Sequence, residues 1–86
     1  MHKIELSRAA EAVYRKLNER DRRLLDRIDA ALDAIAAEPR SGKPLKGDFA
    51  GQWSYRVGQY RIIYLIEGRR LVVLVLDIGH RGEIYR

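Results

Sequence analysis

The stretch WSYRVGQYRIIYLIEGRRLVVLVLDIG, residues 53–79, decides the fold. Apolar and polar residues alternate over its first five positions, which is typical of a half-buried strand. Two runs rich in β-branched and aromatic residues follow, and turns at Gly58-Gln59 and around Gly68 separate the three segments. The stretch therefore predicts three antiparallel strands joined by hairpins. The last two are apolar on both faces for most of their length, so they are expected to be central.

The loop Gly58-Gln59 sets the register of the first predicted hairpin. A two-residue loop places Arg56 opposite Arg61 on one face of the sheet, and glycine in the first loop position favours a type II′ turn. Like charges directly opposite each other destabilise paired strands. Either both arginines extend into solvent, or their donor forks share a phosphate and the repulsion marks an anion site.

The turn around Gly68 leaves a third interpretation of Arg61 open. A two-residue loop there places Arg61 beside Leu76. A three-residue loop places it beside Asp77, whose carboxylate would form a salt bridge with it. The sequence is compatible with both registers.

Two helices are predicted before this stretch. Residues 3–6 alternate as a short strand does, and Ser7 is a candidate N-cap because its hydroxyl can accept from an orphan amide. Apolar residues at helical spacing predict a first helix to about residue 18, where the sequence NERD interrupts the pattern. The second helix is strongly amphipathic and is expected to end at Glu38, because Pro39 cannot continue it.

Residues 39–51 are predicted to form a loop, since they contain both prolines and three of the seven glycines. The predicted fold is then a single α+β domain covering residues 1–86, in the order β-α-α-β-β-β. The two helices are expected to pack on a mainly antiparallel sheet.

The composition excludes several classes of protein. No cysteine is present, which excludes disulfides and thiolate metal sites, and only two histidines make a zinc site unusual. No glycine-rich loop leads into a helix, so no nucleotide-binding fingerprint is present. The absence of a signal-like stretch and of a long apolar run predicts a cytoplasmic protein without a membrane segment.

The net positive charge lies in the second half of the chain. Residues 1–39 carry eight basic and eight acidic residues, whereas residues 40–86 carry nine basic and four acidic ones, which is the whole excess of +5. Such a patch attracts a polyanion, most obviously nucleic acid, although a merely soluble basic surface has the same composition. Near the C-terminus, Tyr85 either packs against the fold or stacks on a base. The candidate contact residues are Lys43, Lys46, His80, Arg81 and Tyr85.

The string PRSGKPLKGDFAGQWSYRVGQYRIIYLIEGRRLVVLVLDIGHRGEIYR, residues 39–86, resembles the second half of toxins of the RelE/ParE superfamily. The resemblance rests on Gly-x-Tyr-Arg at 58–61 and His-Arg-x-x-Ile-Tyr at 80–85, at their mutual spacing. The first half is similar too, since IELSRAAEAVYRKL at 4–17 resembles the opening strand and helix of the family. The resemblance also implies the β-α-α-β-β-β order obtained from the pattern.

RelE-like toxins cleave mRNA in the ribosomal A site by attack of a ribose 2′-hydroxyl on the adjacent phosphate, and a cognate antitoxin holds them inactive. The resemblance therefore implies an endoribonuclease that needs no metal and no cofactor. It implies the ribosome, mRNA and an antitoxin as partners, and a hetero-oligomer of toxin and antitoxin. The competing ParE-like branch shares the fold, inhibits DNA gyrase and is not a nuclease.

The resemblance also assigns roles to residues. The family's strand arginine matches Arg61, its arginine at the end of the last strand matches Arg81, and its terminal tyrosine matches Tyr85, as a base or as a stacking group. These three are the implied catalytic residues. Ser54 stands where the best-studied members carry a second basic residue. The residues expected to bind RNA phosphates are Lys43, Lys46, Arg56 and His80.

Overall fold

The computed structural model describes residues 1–80, so the predicted site residues Arg81 and Tyr85 lie outside the described part of the chain. The elements are β1 (Lys3–Leu6), α1 (Arg8–Arg20), α2 (Arg22–Ala37), β2 (Lys43–Pro44), β3 (Trp53–Val57), β4 (Tyr60–Glu67) and β5 (Val72–His80). The strands form a sheet in the order β1-β5-β4-β3-β2, in which β1 is parallel to β5 and the other neighbours are antiparallel. The predicted α+β order is confirmed, and the two-residue strand β2 is added within the predicted loop.

Polar side chains begin both helices. The predicted N-cap is confirmed, because the Ser7 hydroxyl accepts a hydrogen bond from the Ala10 amide at 3.1 Å. Asp21 ends α1 and begins α2, and its carboxylate accepts from the Leu24 amide at 3.1 Å. Because Asp21 alone separates the two helices, α1 extends two residues beyond its predicted end at residue 18. In residues 1–80, neither helix has the length and apolar character needed to cross a membrane.

Both helices pack on one face of the sheet, as predicted. Successive strand residues face opposite sides, so every second side chain of the central strands points toward the helices. The opposite face carries Ser54, Arg56 and Arg61 where β3 and β4 meet. The buried core includes Ala10, Leu17, Ile28, Ile35, Val57, Ile62, Tyr64, Val73 and Val75.

The predicted register of the β3–β4 hairpin is confirmed. Val57 pairs with Tyr60, and Arg56 pairs with Arg61. Gly58 has a φ of +58°, a conformation that suits glycine in the first position of a two-residue hairpin loop. The two arginines are therefore direct cross-strand neighbours on the face of the sheet opposite the helices.

Both predicted registers for the next hairpin are wrong. The turn contains four residues, because Glu67 pairs with Val72, and a bulge then shifts the ladder by one further residue. The Ser7 hydroxyl donates to the carbonyl of Leu76, the extra residue of the bulge, at 2.6 Å. As a result Arg61 lies opposite Gly79, which has no side chain to fill the space beside it.

Candidate active site

A basic groove of about 520 Å³ lies at the end of the sheet where β2, β3 and β4 meet. Among residues 1–80, the cations that line it are Lys43, Arg56 and Arg61, and no carboxylate of these residues does so. Lys43 reaches the groove because β2 pairs it with Ser54. The hairpin register brings the two arginines together from the other side. The full lining is Ser41, Gly42, Lys43, Ser54, Tyr55, Arg56 and Arg61.

The Arg61 guanidinium has unused donor capacity. Its Nε is buried and has no hydrogen-bond partner in the described chain. Its Nη1 donates to the Ser54 hydroxyl over a long 3.5 Å. Within residues 1–80, no ion pair joins Arg61 to Asp77 or to another carboxylate, so the salt-bridge interpretation is not realised. A buried donor left without a partner costs about 1–3 kcal/mol, which a bound anion would recover.

Ser54 contributes a hydroxyl to the groove. The residue is 4% exposed, and its hydroxyl accepts the long hydrogen bond from Nη1 of Arg61, so this position adds no charge. In residues 1–80 the positive charge of the groove comes from Lys43, Arg56 and Arg61.

Tyr64 holds the loop that brings Lys43 to the groove. The side chain is fully buried, and its hydroxyl donates to the Pro39 carbonyl at 2.7 Å. Burial raises the pKa of Tyr64, so the phenol stays protonated and keeps this donor. Gly42 passes so close that a β-carbon there would overlap the Tyr64 hydroxyl and lie 2.8 Å from the Ser54 carbonyl oxygen. The position of the loop, and with it that of Lys43, is thus set by its contacts with Tyr64 and with the Ser54 carbonyl.

The structure brings together only part of the predicted site. Lys43, Arg56 and Arg61 share the groove, whereas Lys46 is exposed in the loop beyond β2 and does not line it. His80 pairs with Tyr60 at the end of β5, and their rings meet edge to face with centroids 5.7 Å apart. Tyr60 packs against the core, so His80 lies on the helix side of the sheet, opposite the side chain of Arg61.

Gly42 and Tyr64 help to position the loop that carries Lys43, and the sequence did not predict this role. The sequence shows only a glycine in a loop and a tyrosine in a buried strand, and their contact becomes visible only in the fold. Chemically, the part of the groove formed by residues 1–80 offers three cations, a hydroxyl and an unused guanidinium donor. Such an arrangement can bind a phosphate group and can stabilise negative charge that develops on it.

Comparison with known proteins confirms the resemblance to the RelE/ParE superfamily of toxins that the sequence indicated. A sequence model described as the ParE toxin of the type II toxin-antitoxin system, parDE, matches residues 4–85. The chain therefore belongs to this family of type II toxin-antitoxin toxins.

Curated relatives carry RelE-type and YoeB names. The chain is 40% identical over 60 residues to the toxin RelG of Mycobacterium tuberculosis, covering 69% of each sequence. It is 35% identical over 66 residues to a YoeB toxin of Synechocystis, covering 71% of this chain and 77% of the relative. These relatives place the chain with the RelE/YoeB toxins inside the family.

Solved structures agree with this placement. The YoeB/ParE toxin from Agrobacterium tumefaciens superposes with a TM-score of 0.82 at 25% identity, over 91% of this chain and 96% of that one. The RelBE2 toxin-antitoxin complex from M. tuberculosis gives a TM-score of 0.76 at 32% identity, over 93% and 98%. The isolated RelE toxin of E. coli, at 20% identity and a TM-score of 0.78, shows that the fold is shared.

Proposed function

We propose that this toxin cleaves mRNA on the ribosome and thereby blocks translation. The observation that carries the proposal is the groove of Lys43, Arg56 and Arg61, in which a buried guanidinium donor has no partner in the described chain. Three cations brought together, with no carboxylate from residues 1–80 beside them, repel one another, so the arrangement suits a groove that receives a phosphate. The RelE-type names of the curated relatives support the same activity.

The proposed chemistry uses a nucleophile that the RNA itself supplies. The ribose 2′-oxygen attacks the adjacent phosphorus, its proton leaves to a base, and the bond from phosphorus to the 5′-oxygen breaks as that oxygen takes a proton. Negative charge grows on the phosphate oxygens, where fixed guanidiniums stabilise it. In this proposal the RNA supplies the nucleophile, guanidiniums stabilise the charge and side chains transfer the protons, so no metal or cofactor is assigned a role.

The roles proposed for Lys43, Arg56 and Arg61 follow from their positions in the basic groove. Arg61 stabilises the developing charge, while Arg56 and Lys43 hold the phosphate. Arg81 and Tyr85, which lie outside the described residues, are proposed to complete the catalytic set as a second guanidinium and as a base or stacking group. Since Lys46 and His80 lie away from the groove, we propose that they contact RNA beyond the cleaved phosphate.

Purified protein mixed with ribosomes and a message is expected to produce cuts inside translated codons, mapped by primer extension. Message without ribosomes should stay intact, because the proposed activity requires the ribosome to present the strand. The protein with Arg61→Gln serves as the second control. An intact message in a complete translation mixture would contradict the proposal.

Inhibition of DNA gyrase is the second candidate function. The observation that favours it is the match to a sequence model described as the ParE toxin. Under this alternative the protein would stop supercoiling and produce gyrase–DNA adducts while translation continues. A supercoiling assay run beside the cleavage assay separates the two functions.

We also propose a cognate antitoxin as partner, in a hetero-oligomer, with the cytoplasm as the place of action. The related RelBE2 structure from M. tuberculosis is a toxin-antitoxin complex. The antitoxin is expected to cover the basic groove or the helices with an acidic or amphipathic segment. Coexpression with the product of the neighbouring gene should yield a copurifying complex. Failure of the two proteins to associate at micromolar concentration would contradict this prediction.

A further inference from the structure

Two further grooves continue from the basic groove around the β3–β4 hairpin. The middle groove, about 340 Å³, shares Tyr55 and Arg56 with the basic groove and is also lined by Arg27 of α2. The distal groove, about 290 Å³, shares Arg27 and Val57 with the middle one. Because neighbouring grooves share lining residues, the three follow one another as a path around the part of β3 that β2 does not pair, from the face opposite the helices to the start of α2 on the helix side.

Arg27 is the central cation of this path. Its guanidinium lies over the hairpin loop, where a β-carbon on Gly58 would come within 3.0 Å of Nη2. In the described part of the chain, no carboxylate forms an ion pair with Arg27 or Arg23. Among residues 1–80, Asp21 is the one acidic residue that lines the distal groove, and its carboxylate caps α2 by accepting from the Leu24 amide. The path therefore presents several cations in succession.

The distal groove adds a flat apolar surface to this charge. Tyr60 lines it, together with Leu24 and Val57, and the Tyr60 ring is held edge to face against His80. Aromatic rings that stand beside arginines are the surfaces on which proteins stack the bases of single-stranded RNA. The charge and the ring occur together at the end of the path.

We propose that the distal groove is a second nucleotide-binding subsite, which holds a nucleotide flanking the cleaved one. The strand leaves the basic groove past Arg56, its next phosphate binds Arg27, and a base lies against Tyr60. This inference rests on the proposed ribonuclease function. Continuity with the basic groove favours the RNA strand over an acidic protein segment, because one polynucleotide then meets a series of guanidiniums in order.

The test compares the binding of a short and a long RNA. Fluorescently labelled, 2′-O-methylated trinucleotide and nonanucleotide RNAs, which the proposed reaction cannot cleave, are titrated at low salt by fluorescence anisotropy. Arg27→Gln is expected to weaken nonanucleotide binding about fivefold and to leave trinucleotide binding unchanged. The salt dependence for the nonanucleotide should fall by about 0.7 in log–log slope, as expected for one lost phosphate contact.

Two variants make the comparison specific. Arg27→Lys keeps the charge and is expected to recover most of the affinity. Arg69→Gln removes one charge from the exposed turn at the other end of β4 and should match the wild-type protein with both RNAs.

The possible results separate the subsite from the function on which it rests. If Arg27→Gln behaves as Arg69→Gln does, or weakens both RNAs equally, the subsite is overturned while wild-type cleavage on ribosomes still supports the proposed function. If Arg27→Gln leaves RNA binding unchanged and weakens only the antitoxin complex, the groove belongs to the antitoxin and the subsite is likewise overturned. A wild-type protein that binds neither RNA overturns the subsite, and one that also leaves message uncut on ribosomes overturns the proposed function as well.

Discussion

Replacing Arg61 with glutamine is expected to lower the single-turnover rate of mRNA cleavage on ribosomes by about 10²–10³. The guanidinium lines the basic groove together with Lys43 and Arg56, where the proposed reaction would develop negative charge on the phosphate. Its Nε has no partner in the described chain, so glutamine gives up little hydrogen bonding within the fold. The loss is therefore expected in the chemical step rather than in the folded fraction.

The same substitution should hold or raise the melting temperature. Arg56 lies directly opposite Arg61, and a like-charge pair of this kind is unfavourable by a few tenths of a kcal/mol up to about 1 kcal/mol. Glutamine removes the repulsion and keeps a polar side chain of similar length. Salt screens exposed charges, so any gain should be largest at low ionic strength.

Thermal melts and single-turnover cleavage on one preparation measure both effects together. Arg69→Gln is the matched control, because it removes an arginine from an exposed turn remote from the groove, and it should resemble the wild-type protein in both assays. A destabilised Arg61→Gln protein whose folded fraction still cleaves at the wild-type rate would end the phosphate-binding interpretation.

Local sequence was sufficient wherever a short-range rule set the structure. Ser7 and Pro39 mark helix ends by chemistry that acts within a few residues. The loop Gly58-Gln59 sets the pairing of Arg56 with Arg61, because a two-residue hairpin admits one register. These rules predicted the hairpin that carries two of the three cations of the groove.

Long-range contacts explain what local sequence could not provide. The bulge at Leu76 is held by a hydroxyl donated from Ser7, 69 residues away in the chain, and it moves Gly79 opposite Arg61. β2 consists of two residues, one of them proline, so it has no pattern of its own to detect. Lys43 joins the groove only because this short strand pairs with β3.

Long-range contacts also decide which residue lies opposite Arg61. Its salt bridge to Asp77 depended on a three-residue turn, whereas the four-residue turn and the bulge place Asp77 opposite Ile63. Asp77 accepts instead from the amide of Ile78 at 2.9 Å. The anion-site interpretation is then supported by a donor left unused, an observation that no sequence pattern contains.

Replacing Gly42 with alanine is expected to destabilise the protein by about 1–3 kcal/mol. The added methyl group would overlap the Tyr64 hydroxyl and approach the Ser54 carbonyl oxygen to 2.8 Å. Tyr64 is fully buried in the core and Ser54 belongs to β3, so neither neighbour can move without disturbing the sheet. The loop must move instead, and Lys43 follows it out of the groove. Cleavage by the folded fraction should therefore fall as well.

Gly68→Ala is the matched control for this change. A β-carbon on Gly68 meets no atom within 4 Å, and its backbone φ lies outside the left-handed region, so alanine should leave the melting temperature unchanged or slightly raise it. For a domain of this size, a loss of 1 kcal/mol lowers the melting temperature by about 4–8 °C, which differential scanning calorimetry resolves easily.

A double substitution tests the cause of the destabilisation. Tyr64→Phe alone loses the hydrogen bond to Pro39 and should cost about 1 kcal/mol. Combined with Gly42→Ala it also removes the overlapping hydroxyl, so the pair should cost less than the sum of the two single changes. The contact with the Ser54 carbonyl oxygen remains, so recovery should be partial. Two results would show that Tyr64 does not hold this loop against β3. One is that the losses of stability in the two single variants add up exactly in the double variant. The other is that the Gly42→Ala protein melts at the same temperature as the Gly68→Ala protein.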